Sequence, residues 1–246
     1  MTARVVVVGA AGKMGKAVQA AAVGREDVEI AGVVDQGDDV AAALAHADVY
    51  IDFSTPAATL AAARAAIAAK RAAIIGTTGL GGDAEALFAD LAKVAPVVVA
   101  ANFSLGVNLM LGLVRQAARA LGPAWDAEVV ETHHKMKRDA PSGTALAIAR
   151  SIAAGHGADY DAVKRHTRDG DVGPRPRGEI GVATLRGGDV VGEHVAYFFG
   201  EHERIEIAHR ATSRSIFATG ALVAAAWVVG KPPGRYTMLD VLGLPS

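Results

Sequence analysis

The sequence contains no cysteine. That excludes disulfides, thiolate metal sites and a cysteine nucleophile, so any redox chemistry needs a borrowed cofactor. Neither sign of charge is in surplus: 25 Lys and Arg against 26 Asp and Glu leave a net charge of −1, and nothing overall favours nucleic acid or a membrane surface. No apolar run is long enough to span a bilayer, and the first residues enter a strand-like segment with no signal-peptide pattern. A cytoplasmic protein is therefore expected. There is no internal repeat and no low-complexity linker. What is present is a chain of 246 residues, 51% of them apolar, enough for one large domain or two modest ones around a sizeable core.

Along the chain, strand and helix patterns alternate. Arg4 to Val8 reads as a buried parallel strand, followed by Gly9-Ala10-Ala11-Gly12-Lys13-Met14-Gly15, a helical stretch to Val23, and a second strand from Val28 ending at Asp35. Asp35 lies 20 residues beyond Gly15, near the spacing of an acid that meets an adenosine ribose. The spacing G-x-x-G-x-x-G differs from the commoner G-x-G-x-x-G, but strand, glycine turn, helix, strand and acid follow in the order of a dinucleotide site. Further strands at Ala47–Phe53, Ala72–Ile75 and Val97–Ala101 end in Ser54-Thr55-Pro56, Gly76-Thr77-Thr78-Gly79 and Asn102-Phe103-Ser104. This alternation predicts a Rossmann-type, doubly wound parallel sheet with ligands at the carboxyl ends of its strands.

After the amphipathic helix Leu105–Leu121 the character changes. A strand from Trp125 delivers the stretch E-T-H-H-K-M-K-R-D-A-P-S-G-T-A, Glu131 to Ala145. It carries His133 and His134, the cations Lys135, Lys137 and Arg138, and a helix start with Ser142 as N-cap. Imidazoles and an ammonium beside the amides of a helix N-terminus suit a small anion and proton transfer. Gly155–Gly178, with a basic cluster from Lys164 to Arg177, reads as a long solvated loop. Strands at Glu179–Arg186, Val190–Phe199 and Arg204–Arg210 follow without helices between them, predicting an α+β domain with an open mixed sheet. One face of that sheet lacks a cover within the chain, so an oligomer is expected. The helix Ser215–Val229 and the tail return to the first domain. The expected division is 1–103 with 214–246, and 104–213.

Together these motifs resemble the dihydrodipicolinate reductase family of bacterial lysine and diaminopimelate synthesis. The likeness covers nearly the whole chain: V-G-A-A-G-K-M-G at the N-terminus, Gly76–Gly79, Ala101–Ser104, the stretch Glu131–Ala145, Gly192-Glu193-His194 and Ser213-Arg214. The resemblance implies a nicotinamide-binding domain and a substrate domain that assembles a homotetramer. It implies NADH- or NADPH-dependent reduction of 4-hydroxy-tetrahydrodipicolinate, a cyclic dicarboxylate, with loss of water. Carried over by position, His133 would be proton donor or acceptor and Lys137 proton donor. His134, Gly143 and Thr144 would contact substrate, with the cap Ser142 counted beside them. Gly9, Ala10, Ala11, Gly12, Lys13, Met14, Asp35, Gly76, Thr77, Thr78, Ala100, Ala101, Asn102 and Phe103 would contact cofactor.

Many family members carry Arg after the ribose acid, whereas Gln36 follows Asp35 here. Asp35 repels a 2′-phosphate and Lys13 partly offsets that, so both cofactors are expected, with NADH at least as good. No metal site is expected, because adjacent histidines on a strand point to opposite sides. Two rivals remain: another two-domain nicotinamide dehydrogenase, of which the semialdehyde type is excluded by the missing cysteine, and a non-catalytic dinucleotide sensor.

Overall fold

The valines of β1 (Ala3–Val8) feed two cores at once in the computed structural model, which describes residues 2–245. Val5 and Val7 pack on one side with the small and aliphatic residues of α1 (Lys13–Ala22) and α8 (Ser215–Val228), including Val18, Ala221 and Leu222. Val6 and Val8 pack on the other, with Leu44, Ala62 and Phe88 of α2 (Val40–Leu44), α3 (Pro56–Ala69) and α4 (Gly82–Val94). A strand buried on both faces has no use for a polar alternation, which is why it reads as a continuous apolar run. β2 (Val28–Val34), β3 (Val49–Asp52), β4 (Ala72–Ile75), β5 (Pro96–Val99) and β11 (Gly234–Tyr236) complete a six-stranded parallel sheet in the order β11-β5-β4-β3-β1-β2. The order reverses beside β1, and that reversal opens a crevice at the strand ends.

The chain divides into two compact units, Met1–Leu105 with Ser215–Ser246, and Gly106–Arg214. The breaks fall slightly later than the sequence suggested. Leu105 packs on the first unit's core, and Arg214 reaches His134 in the second.

In the second unit, β6 (Asp126–His133) lies between β8 (Ile180–Arg186), to which it is parallel, and β9 (Gly192–Phe199), to which it is antiparallel. β10 (Arg204–Ala211) and the two-residue β7 (Lys164–Arg165) form the edges of this five-stranded sheet. One face is covered by α5 (Leu105–Leu121) and α6 (Gly143–His156), whose Val114, Ile148 and Ile152 meet Val129, Val182 and Phe198. The opposite face carries Val130, Val195 and Tyr197, all half-buried, with Leu185 and Phe199 exposed.

The structure differs from the sequence expectations at three places. The region 155–178 is not one loop: α6 runs to His156, where Gly157 caps it in the left-handed region, and α7 (Tyr160–Val163) and β7 follow. Its basic residues are not simply solvated. Arg168 pairs with Glu128 and Glu179, Arg175 with Asp126 and Glu128, and Arg165 with Glu179, tying the segment to the central strand β6 and to the residue that precedes β8. The short helices α2 and α9 (Met238–Val241) stand where no helix was predicted; Asp39 and Thr237 cap them with their own side chains.

Candidate active site

In the first unit the turn after β1 is shaped by glycine where no side chain fits. Gly9 has a φ of +77°, and a Cβ on Gly15 would lie 2.2 Å from the Gly9 carbonyl. The Gly9 N–H donates to the Val34 carbonyl at 2.8 Å, and the Ala11 N–H faces both oxygens of Asp35 at 3.0 and 3.1 Å. Asp38 in turn accepts from the Asp35 N–H at 2.8 Å. Beside this turn lies a cavity of about 640 Å³, lined by residues at the ends of β1, β2 and β3 that include Gly9, Gly12, Asp35, Gln36, Asp38 and Ser54. No lysine or arginine lines it. A glycine turn, a helix N-terminus, an acid and a cavity of this size fit a dinucleotide.

Of the other expected cofactor residues, Ala11, Lys13, Thr78 and Ala101 are exposed, while Met14, Gly76, Ala100 and Asn102 are half-buried. Ala10 and Phe103 are buried in the core, so only their backbones are available to a ligand. Thr77 turns inward: its Oγ1 accepts from the Ser54 N–H at 2.9 Å and lies 3.2 Å from Asp52. Asp52 is fully buried, and burial raises its pKa despite hydrogen bonds from Ser54 and Thr77 that favour its charge. Phe53 gathers the remaining loops, with Gly76 against its ring and Phe103 edge-on at 5.7 Å. Ser54 and Asp38, read from sequence only as turn residues or not at all, belong to this site by position.

In the second unit, the alternation that puts Ala127 and Val129 into the core continues along β6 and carries Glu131 and His133 to the same face. Glu131 has no exposure and His133 has 9%. The His133 Nδ1 hydrogen-bonds to Glu131 Oε2. Glu131 also accepts from the Ser142 N–H at 3.0 Å, from Thr184 Oγ1 at 3.2 Å and from both terminal nitrogens of Arg186 at 2.9 Å. Burial alone would raise the Glu131 pKa, but the bonds from Arg186, His133 and the Ser142 N–H outweigh it and hold the group ionised. Burial lowers the His133 pKa. Glu131 opposes that shift, while the charges of Lys137 and Arg186 add to it.

Ser142 is the N-cap of α6, its Oγ accepting from the Ala145 N–H at 3.1 Å and lying 3.2 Å from His194 Nε2. The ring of His194 meets that of His133 edge-on at 5.2 Å, and burial with the neighbouring His133 brings its pKa down to about 4. Gly143 and Thr144 form the first turn of the helix, where amides lack intrahelical acceptors. The loop after β6 is anchored to the β8–β9 turn, with the His134 N–H donating to the Val190 carbonyl and the Lys135 N–H to Gly188. Lys137 pairs with Asp139 at 2.8 Å, and His134 Nε2 lies 3.3 Å from Arg214. Of the residues expected from sequence in this unit, His133 and Ser142 meet this buried carboxylate, and Lys137 is near enough to His133 for its charge to act on the ring. The sequence motifs contain Glu131 and His194 without assigning them a role, and they do not extend to Thr184 or Arg186. For Glu131 the signal was its place two residues before His133 on a strand.

Two family models match nearly the whole chain. Residues 3–103 match the family described as dihydrodipicolinate reductase, N-terminus, and residues 106–242 the one described as dihydrodipicolinate reductase, C-terminus. The chain is 51% identical to the 4-hydroxy-tetrahydrodipicolinate reductase of Anaeromyxobacter dehalogenans strain 2CP-1, over 98% of each chain. It is 47% identical to that of Rhizobium rhizogenes, over 99% of this chain and 97% of the other. Among solved structures, the dipicolinate-bound dihydrodipicolinate reductase of a Paenisporosarcina species has the same fold, with a TM-score of 0.83 at 24% identity over 98% of this chain and 99% of the other. The chain belongs to the dihydrodipicolinate reductase family.

Proposed function

We propose that the protein reduces 4-hydroxy-tetrahydrodipicolinate to tetrahydrodipicolinate, consuming NADH or NADPH and a proton and releasing water. The observation that carries the reading is the arrangement in the second unit: one buried carboxylate holds the His133 imidazole and the Ser142 N–H at the start of α6, and the charge of Lys137 acts on the ring. The cations and amides of this arrangement offset the two negative charges of a ring dicarboxylate. His134, Ser142, Gly143 and Thr144 bind the carboxylates. A dinucleotide supplies the hydride, and the glycine turn Gly9–Met14, Asp35, Gly76–Thr78 and Ala100–Phe103 hold it. A ring that takes hydride at a carbon–carbon double bond conjugated with an imine gathers negative charge, which a proton must neutralise. Lys137 donates that proton, and His133 exchanges protons at its free ring nitrogen.

Both dinucleotides serve, NADH at least as well as NADPH, because Asp35 and Asp38 line the cavity without a cation among its lining residues. The protein works in the cytoplasm as a homotetramer. Among the described residues no helix is long and apolar enough to cross a membrane, and the uncovered sheet face supports assembly. The test is a coupled assay in which substrate is formed freshly from pyruvate and aspartate semialdehyde and loss of reduced nicotinamide absorbance is followed. Absorbance that falls no faster than without the protein overturns the proposal.

A further inference from the structure

We propose that Glu131 is the positioning residue of the substrate site: it fixes His133 with the proton on Nδ1 and Nε2 as the exchanging atom, and it holds the mouth of α6 by the same carboxylate. The inference deepens the reading above and depends on it for what His133 does.

The geometry is that of a full acceptor. A carboxylate offers about four lone-pair positions, and five donors converge on those of Glu131: the Ser142 N–H, Thr184 Oγ1 and one Arg186 nitrogen on Oε1, and His133 Nδ1 and the other Arg186 nitrogen on Oε2. These donors come from β6, from the cap of α6 and from β8. Strand register explains the convergence, because Glu131 stands opposite Thr184 on β8 and His194 on β9, and His133 stands opposite Arg186. An ionised carboxylate has no proton to give, so the neutral imidazole facing it carries its own proton on Nδ1. Nε2 is then left for exchange. On that edge β9 presents Gly192, where a Cβ would stand 3.0 Å from Nε2; glycine leaves it clear of any side chain.

Arg186 separates this arrangement from an ordinary acid–imidazole pair. Its bidentate contact absorbs much of the carboxylate's charge, so Glu131 orients the ring without holding it as imidazolium. The groups that face His133 are Glu131 from its own strand, Lys137 from the following loop, Arg186 from β8 and His194 from β9, with His209 of β10 behind His194; α6 contributes the neutral Ser142. Two cations and a neutral imidazole against one paired carboxylate leave the ring neutral.

The first test needs no variant. Nitrogen-15 spectra of the labelled wild-type protein, above the pH at which His133 titrates, are expected to show its ring as the Nδ1–H tautomer, and an Nε2–H tautomer overturns the proposal. The second uses Glu131→Gln, whose amide presents an N–H₂ where an acceptor stood. It is expected to lower kcat between roughly 10²- and 10⁴-fold, the scale of a catalytic imidazole held wrongly. Affinity for NADH, read by fluorescence, should stay within twofold of wild type. The limb of the pH profile governed by His133 should move to lower pH, because the group that raises its pKa is gone. A kcat within threefold of wild type, or a loss of activity with limb and tautomer unchanged, assigns Glu131 a structural role only and overturns the proposal. Should the variant not fold, the wild-type tautomer decides. If the wild-type protein does not turn over the substrate, the proposed reaction fails while the tautomer result still judges the positioning.

Discussion

One backbone N–H, that of Ala11, faces both carboxylate oxygens of Asp35, at 3.0 and 3.1 Å. The acid at the end of β2 therefore acts on the glycine turn as well as lining the cavity. Replacing Asp35 with Ala removes a support of the turn and one of the two charges that repel a 2′-phosphate. The expected outcome is a higher KM for NADH and a ratio of kcat/KM for NADPH over NADH that rises about tenfold, or about 1.4 kcal/mol. Steady-state rates with both dinucleotides measure it. A wild-type preference of a hundredfold for NADPH would refute the assignment of NADH as the equal or better reductant.

Lys137 is the proton donor in the proposed reaction, and its Nζ is held 2.8 Å from Asp139. Lys137→Ala is expected to reduce kcat by about 10² to 10³ while NADH affinity, read by fluorescence, is retained. The residue sits in the loop after β6, where its loss leaves no buried partner unsatisfied, so the melting temperature should move little. A variant with wild-type kcat would remove Lys137 from the chemistry. A wild-type protein that binds NADH and turns nothing over would be the sensor instead.

Much of this site was legible in the residues. Ser142 announced itself as an N-cap because a small hydroxyl residue stands just before an apolar periodic run, and its Oγ does cap α6. The parallel sheet was legible because β1 to β5 are short apolar runs separated by helical stretches. Arg186 was not, because its contact with Glu131 spans 55 residues of chain and depends on the register of β6 against β8, which no local pattern encodes. The clamp made by Arg168 and Arg175 was missed for the same reason: its partners Glu128 and Asp126 lie on a strand more than 35 residues earlier. The helix α2 was overlooked because five residues give too few turns for a periodicity to show.

His194 makes the acid side of the stability profile steep. It is 4% exposed, and burial, followed by the charge of nearby His133, brings its pKa to about 4 against an ordinary 6.5. Between those values the unfolded chain binds a proton that the folded protein refuses. The contribution of neutral His194 is thus whole above about pH 6.5 and is lost as pH falls toward 4, amounting to on the order of 3 kcal/mol. His194→Gln can still hydrogen-bond the Ser142 hydroxyl but cannot titrate. Denaturant melts at pH 7 and pH 5 are expected to show a smaller drop in stability for the variant than for wild type. Equal drops would show that His194 is not among the groups that set the slope.

Tyr197 and Phe199 stack on the uncovered face of the second sheet, ring centroids 5.6 Å apart and planes within 7°. Val195 continues their row on β9, and Leu185 lies on the same face on β8. Aromatic side chains of this size carry a large share of the energy in an interface core. The free edge of the sheet, by contrast, is guarded by charge: Arg204 and Glu206 pair at 2.7 Å on β10, and Arg210 lies 3.6 Å from Glu193. Charged edges discourage strand addition, so assembly is expected through the face rather than by extending the sheet. Light scattering should give wild-type protein the mass of four chains. The double substitution Tyr197→Glu and Phe199→Glu places two new carboxylates where the rings stacked, beside the existing Glu206, and is expected to yield a smaller species at micromolar concentration with unchanged secondary structure by circular dichroism. A variant that keeps the wild-type mass would move the interface elsewhere on the chain.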